Sequence, residues 1–196
     1  MKHTDRWFSH RLQTDMQIVR WGHYGIPLLL FPTAGGDPEE VERFHLIGKL
    51  QPFINEGRIK VYSIDSLNGR IWLTHPEIAH RVWVHCQFDE YLRQEVVPWI
   101  QHDCQSRDVP IMTAGASIGA FNALNSVCRH PDVFSAAICM SGTYDIQKWL
   151  EGHWFDDFYF HSPLQFVPNL SGSHLEQLQQ CRVILATGQG KYEEPG

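Results

Sequence analysis

Residues 115–119, Gly115-Ala116-Ser117-Ile118-Gly119, carry the residue types and spacing of nucleophilic chemistry. A serine hydroxyl is a weak nucleophile until its surroundings activate it. The pattern Gly-x-Ser-x-Gly does part of this when it sits on a sharp turn between a strand and a helix. The turn exposes the serine Oγ, and the helix N-terminus favours the negative charge that develops in an attack on a carbonyl. The flanking glycines are required because a Cβ at either position would collide with the neighbouring strand and helix. With 15 glycines and eleven serines in 196 residues, the bare pattern arises by chance roughly 0.06 times, so its setting decides its meaning. Residues 109–114 (VPIMTA) read as a strand and residues 117–129 as a helix, which is the required setting. The competing reading is a serine that only caps a helix in a Gly-rich turn.

A second segment has chemistry to offer beside it. Phe31-Pro32-Thr33-Ala34-Gly35-Gly36 is a small-residue loop leaving an apolar strand. A backbone N–H from this loop, on Gly35 or Ala34, together with that of Ile118, would make an oxyanion hole for a tetrahedral intermediate. Taken alone, the loop reads as a plain turn.

The elements that must position these groups alternate between strand and helix. Residues 5–22 alternate loosely and read as an edge hairpin, and residues 27–32 form a continuous apolar run of the kind buried on both faces of a parallel sheet. Asp37, Pro38, Glu39 and Glu40 mark a helix start, with Val41, Phe44, Ile47 and Leu50 as its buried face. Residues 58–65 (RIKVYSID) are the next strand. After a loop, residues 87–101 have helical spacing, with Pro98 expected to end or kink that helix. Residues 136–140 and 182–187 (RVILAT) are further strands, and residues 174–180 are a short helix. Residues 145–172 are irregular and aromatic (Trp149, Trp154, Phe155, Phe158, Tyr159, Phe160, Phe166) and predict a small cap over the site. The series predicts a single α/β domain over residues 1–196, with a mostly parallel, doubly wound sheet and helices on both faces. In such sheets chemistry sits at the carboxyl edge of the strands.

Composition narrows the function classes. Sixteen Lys and Arg stand against 22 Asp and Glu, a net charge of −6, which offers no basic surface for nucleic acid. The longest apolar run is far short of the roughly 20 residues that span a bilayer. The first residues carry charge and no apolar signal segment, so the expected location is cytoplasmic. Five cysteines (Cys86, Cys104, Cys128, Cys139, Cys181) lack metal-ligand spacing and read as reduced structural thiols. Neither a metal nor a cofactor is expected.

The strand and loop IPLLLFPTAGGD, the segment VYSIDSLNGRIW, the elbow TAGASIGAFNAL, the stretch RHPDVFSAAICMSGTYDI and the strand and loop VILATGQGKYEE occur here in one order. In that order the chain resembles the α/β-hydrolase superfamily, and within it the Putative esterase family that includes esterase D and the antigen 85 mycolyltransferases. The resemblance implies an α/β-hydrolase fold, a nucleophile at Ser117 and an acid after the last strand. That acid falls on Glu194, with Glu193 next to it; two solvated acids on a terminal loop are the alternative. The family's histidine comes after a further helix and strand, but only Pro195 and Gly196 follow Glu194, so the final strand, its helix and the general base are expected to be missing here. His75, His80, His85, His153 and His161 lie in or beside carboxyl-edge loops, and each also reads as an ordinary loop or cap histidine. His23, His102 and His130 fall at the opposite edge. Asp65 and Asp145 follow strands at the right edge but read as a turn and a helix cap.

The resulting expectation is a serine carboxylesterase acting on short-chain or aromatic esters through an acyl-enzyme on Ser117, with a small-molecule ester as its partner. The alternatives are a non-catalytic binding protein of the same fold and an acyltransferase using the same serine. An exposed final strand further predicts a homo-oligomer.

Overall fold

The computed structural model describes residues 1–190. Among them, seven strands form one sheet in the order β1-β2-β4-β3-β5-β6-β7: β1 Lys2–Ser9, β2 Thr14–Trp21, β3 Ile26–Phe31, β4 Ile59–Ile64, β5 Ile111–Ser117, β6 Phe134–Gly142 and β7 Arg182–Ala186. The β1–β2 and β2–β4 pairs are antiparallel and every other pair is parallel. The edge hairpin, the mostly parallel sheet and the strand positions agree with the sequence reading to within a few residues.

Alternation along the central strands explains why both faces are covered. Leu29, Phe31, Tyr62 and Ile64 point to one face and Leu28, Leu30 and Val61 to the other. The first face packs under α4 (Ile78–Tyr91), α5 (Val97–Asp103) and α6 (Ile118–Arg129) through Phe88, Tyr91, Ile100, Ala123 and Val127. The second packs under α1 (Glu40–Arg43) and α2 (Leu46–Asn55) through Val41, Ile47 and Ile54. The two edges differ in character. β1 carries Lys2, His3, Asp5 and Arg6, while Val183, Ile184 and Leu185 of β7 are 43%, 54% and 63% exposed.

Three helical expectations need correction. The single helix expected after Asp37 is two, α1 and α2, because His45 takes a left-handed conformation (φ 62°) and breaks it. Phe44, expected on the buried face, is therefore 72% exposed. Residues 66–86, expected as a loop, contain α3 (Leu67–Thr74) and the first half of α4. Their buried residues include Asn68, Gly69 and His85, so no apolar stripe announces them. Pro98 does not end its helix, which continues to Asp103. A π turn at Leu92–Val96, in which the Val97 N–H bonds to the Leu92 carbonyl, sets Pro98 near the start of α5, where its missing N–H costs nothing.

The aromatic stretch becomes short helices, among them α7 (Asp156–Tyr159) and α8 (Pro163–Phe166), followed by α9 (Gly172–Leu178). Ile146, Leu150 and Phe158 of this lobe pack with Trp72, Val82, Ile118 and Phe121, so it leans on α3, α4 and the start of α6. All five cysteines are free. Burial pushes the Cys86 and Cys128 thiols up to about 12 and Cys139 to about 11, which leaves them protonated and unreactive. No helix among the described residues is long and apolar enough to cross a membrane.

Candidate active site

β5 ends on Ser117 and α6 begins at the next residue, as the sequence required. The Ser117 backbone stands at φ 57°, ψ −124°. A non-glycine residue held there stores about 1–3 kcal/mol of strain, which the surroundings must overcome. The β5–β6 ladder holds it, running as far as Ser117 opposite Gly142, and the Thr143 N–H donates to the Ser117 carbonyl at 3.3 Å. A capping serine takes extended backbone and bonds the helix amides. Ser117 does neither: its side chain makes no cap hydrogen bond. The helix-cap reading of this serine therefore fails on geometry.

The flanking glycines set how closely the elements approach. A Cβ on Gly115 would lie 2.3 Å from the Gly119 carbonyl carbon, and one on Gly119 would lie 2.3 Å from the Phe31 carbonyl oxygen. Strand β5, helix α6 and the end of β3 are thus in backbone contact, which brings the loop after Phe31 beside the elbow. Gly69 of α3 marks the meeting point: its hydrogen faces both the Ala34 Cα and the Ile118 Cγ2.

Two amides at this point are open. Among the described residues neither the Ile118 N–H nor the Ala34 N–H has a hydrogen-bond acceptor. Gly35, the alternative to Ala34, donates its N–H to the Thr33 carbonyl at 2.9 Å, as does Gly36. The loop is braced from below by Glu40, a buried carboxylate that accepts the Thr33 N–H at 2.8 Å and the Thr33 hydroxyl at 3.0 Å. From the side it is tied by the Ser66 N–H to the Gly36 carbonyl at 3.1 Å.

The carboxylates sort as follows. Glu193 and Glu194 lie outside the described residues. Asp65 accepts from Arg70 at 2.8 Å, and burial pushes its carboxyl above the ordinary range. Asp145 accepts the Gln147 N–H at 3.1 Å, a local cap. Asp145 thus takes the local capping role expected of it, while Asp65 pairs with Arg70.

None of the candidate histidines among the described residues hydrogen-bonds to Ser117. The rings of His75 and His80 stack 4.0 Å apart at the start of α4. His153 is exposed. His85 and His161 are buried, with ring centres 5.5 Å apart, and burial drives them down to about 4 and about 3, so both are neutral near pH 7. His85 Nδ1 lies 3.4 Å from the Asn68 amide, which donates to Asn122 at 2.9 Å. His130, expected at the opposite edge, binds Asp89 at 3.0 Å beside Arg129. Sequence reasoning missed Glu40 and Gly69. Glu40 looks like an acid at a helix N-terminus, and only its burial against Thr33 shows its role. Gly69 lay in a stretch read as a loop.

The fold is that of an α/β-hydrolase, with a strained serine at a strand-to-helix elbow and two open amides beside it. A family model described as Putative esterase matches residues 80–181, just over half the chain, and the chain belongs to that family. Among solved structures, a ferulic acid esterase superposes with a TM-score of 0.68 at 18% identity, covering 98% of this chain and 80% of its own. An S-formylglutathione hydrolase from Agrobacterium tumefaciens gives 0.68 at 13% identity, covering 96% and 86%. A fluorophosphonate-binding serine hydrolase of Staphylococcus aureus, FphF, gives 0.62 at 14% identity, covering 96% and 79%. At these identities the likeness speaks to the fold. No curated protein matches the sequence.

Proposed function

We propose that this protein is a serine carboxylesterase with Ser117 as its nucleophile. The observation that carries the reading is the backbone of Ser117, φ 57° and ψ −124°, held between two glycines that admit no side chain. Strain of this kind persists only where the surrounding structure imposes it. In the proposed reaction Ser117 Oγ attacks the ester carbonyl, and the carbonyl oxygen becomes an oxyanion held by the N–H groups of Ile118 and Ala34. The C–O bond to the alcohol then breaks, the alcohol leaves with a proton, and water releases the acid from the acyl-serine. Ala34 is preferred to Gly35 because the Gly35 amide is already committed to Thr33. Glu194, or Glu193, is the acid by family resemblance, and no histidine is assigned as base.

Short-chain or aromatic acyl groups fit the apolar ground beside the elbow. Trp72 packs 5.6 Å from Trp149 and 5.9 Å from Phe158, in one cluster with Ile118 and with Ala34 against it. Acyl transfer to another alcohol uses the same residues and differs only in the acceptor. A non-catalytic binding protein is the second reading, favoured by one observation: Ser117 Oγ has no base bonded to it among the described residues.

A fluorophosphonate probe separates the readings, because only an activated serine displaces fluoride. The expected result is labelling of Ser117, found by peptide mass, together with turnover of p-nitrophenyl acetate that Ser117→Ala abolishes. Equal turnover by wild type and Ser117→Ala, with no label on the serine, selects the binding protein.

A further inference from the structure

A cavity of about 790 Å³ opens at the amino edge of the sheet, where β3 and β4 begin. Val109, on its wall, lies just before β5, which then runs about 20 Å from Ile111 to Ser117 at the elbow. Its volume is in the range of small-molecule sites. Arg20, Arg58 and Lys60 line it, and Asp103 is the carboxylate among them.

The hydrogen bonding in this cavity is short of acceptors. The single carboxylate of Asp103 takes Lys60 at 2.7 Å, Arg20 on its other oxygen and the Tyr62 hydroxyl at 2.8 Å. Lys60 also donates to the Asp103 carbonyl at 2.9 Å. Burial alone would raise the Asp103 carboxyl, but Lys60, Tyr62 and Arg20 together hold it below its usual range, so it stays ionised. Two largely buried cations therefore share one anion, and the buried Arg20 Nε has no acceptor at all among the described residues. A buried donor left unmet is costly, and it adds to the surplus of donors over acceptors on this wall. Arg58 adds a third cation at the mouth. Its guanidinium rests 4.9 Å over the Phe53 ring and is only loosely matched by Glu56 at 3.8 Å. The walls are fixed to one another, since the Ile26 N–H donates to the Arg58 carbonyl at 3.0 Å. In a chain of net charge −6, this concentration of positive charge stands out.

We propose that this cavity binds a small, multiply charged oxyanion, a phosphate monoester or a polycarboxylate, through Arg20, Arg58 and Lys60. The oxyanion balances the surplus cation beside Asp103, with Arg58 at the rim. The site is separate from Ser117, and its occupation does not depend on how the serine reacts.

Thermal unfolding of the whole chain in graded inorganic phosphate or citrate, against sodium chloride at matched ionic strength, tests the proposal. Ligand binding to the folded state raises the midpoint in a way that follows its concentration and affinity. The expected result is a rise above the chloride control with phosphate, citrate or both, and the responding anion distinguishes the two ligand types. Half-saturation should move at least tenfold higher in Arg58→Ala, whose side chain is mostly exposed and whose loss leaves the fold intact, and in Arg20→Gln, but not in the distant Lys148→Ala. A rise no greater than chloride gives, or one unchanged in Arg58→Ala, overturns the proposal. Ester turnover is not read in this test, so its result and that of the serine assay stand apart.

Discussion

Gly69 faces Ala34 so closely that a Cβ added to Gly69 would stand 2.9 Å from the Ala34 Cα. The same Cβ would lie 3.2 Å from the Ile118 Cγ2. One missing methyl group thus sets the spacing between the two backbone amides proposed to hold the oxyanion. Gly69→Ala is expected to lower kcat about tenfold to a hundredfold with a smaller change in KM, because losing one oxyanion donor typically costs 10²–10³ in rate and this change displaces a donor without removing it. Steady-state kinetics on p-nitrophenyl esters, with circular dichroism as the fold control, reads the effect. Unchanged kcat in a folded variant removes Gly69 from the site.

Glu40 braces the same loop from the other side. Glu40→Ala leaves the half-buried Thr33 amide and hydroxyl without their acceptor, at a cost toward the lower end of the roughly 1–3 kcal/mol of a buried unmet group. The expected outcome is a lowered urea midpoint and weaker esterase activity. Glu40→Gln, which keeps an acceptor oxygen, should recover part of both.

The buried histidines predict a pH dependence of stability. Folding lowers His85 to about 4 and His161 to about 3 from about 6.5, mainly by burial, so the unfolded chain binds more protons between these values. Stability is therefore present at neutral pH and is lost as pH falls from about 6.5 toward 4. Between pH 7 and 5 the loss is about 2 kcal/mol per histidine. Asp89, Arg129 and His130 face the pair; Asp89 is held low, so its own contribution persists until pH falls below the ordinary carboxylate range. Urea unfolding at pH 5 and 7 measures the slope, and His161→Leu should flatten it by about half. A slope unchanged in that variant excludes His161 as its source.

Trp72 joins the helical lobe to the elbow. Removing so large a buried ring commonly costs about 3–5 kcal/mol, so the milder Trp72→Phe is the useful variant. It is expected to fold and to shift the preference between acetyl and longer or aromatic acyl esters, read as a ratio of kcat/KM values. A constant ratio across acyl groups separates this cluster from the acyl pocket.

The sequence by itself determined the strands, their parallel arrangement and the elbow. Continuous apolar runs such as IPLLLF can be satisfied only between two covered faces, and Gly-x-Ser-x-Gly after such a strand leaves few backbone solutions. Both signals are local, so they can be read from neighbours in the chain. Tertiary structure decided what depends on residues far apart. His45 breaks a helix that its apolar spacing favours, and Glu40 turns from a surface acid into the brace of Thr33. The choice between Ala34 and Gly35 rests on a turn hydrogen bond that no spacing predicts. Gly69 and the donor surplus around Asp103 exist only because α3 meets the loop after Phe31, and because β2, β4 and α5 bring Arg20, Lys60 and Asp103 together. Close approach and shared hydrogen bonds are properties of pairs, and the sequence lists its residues singly.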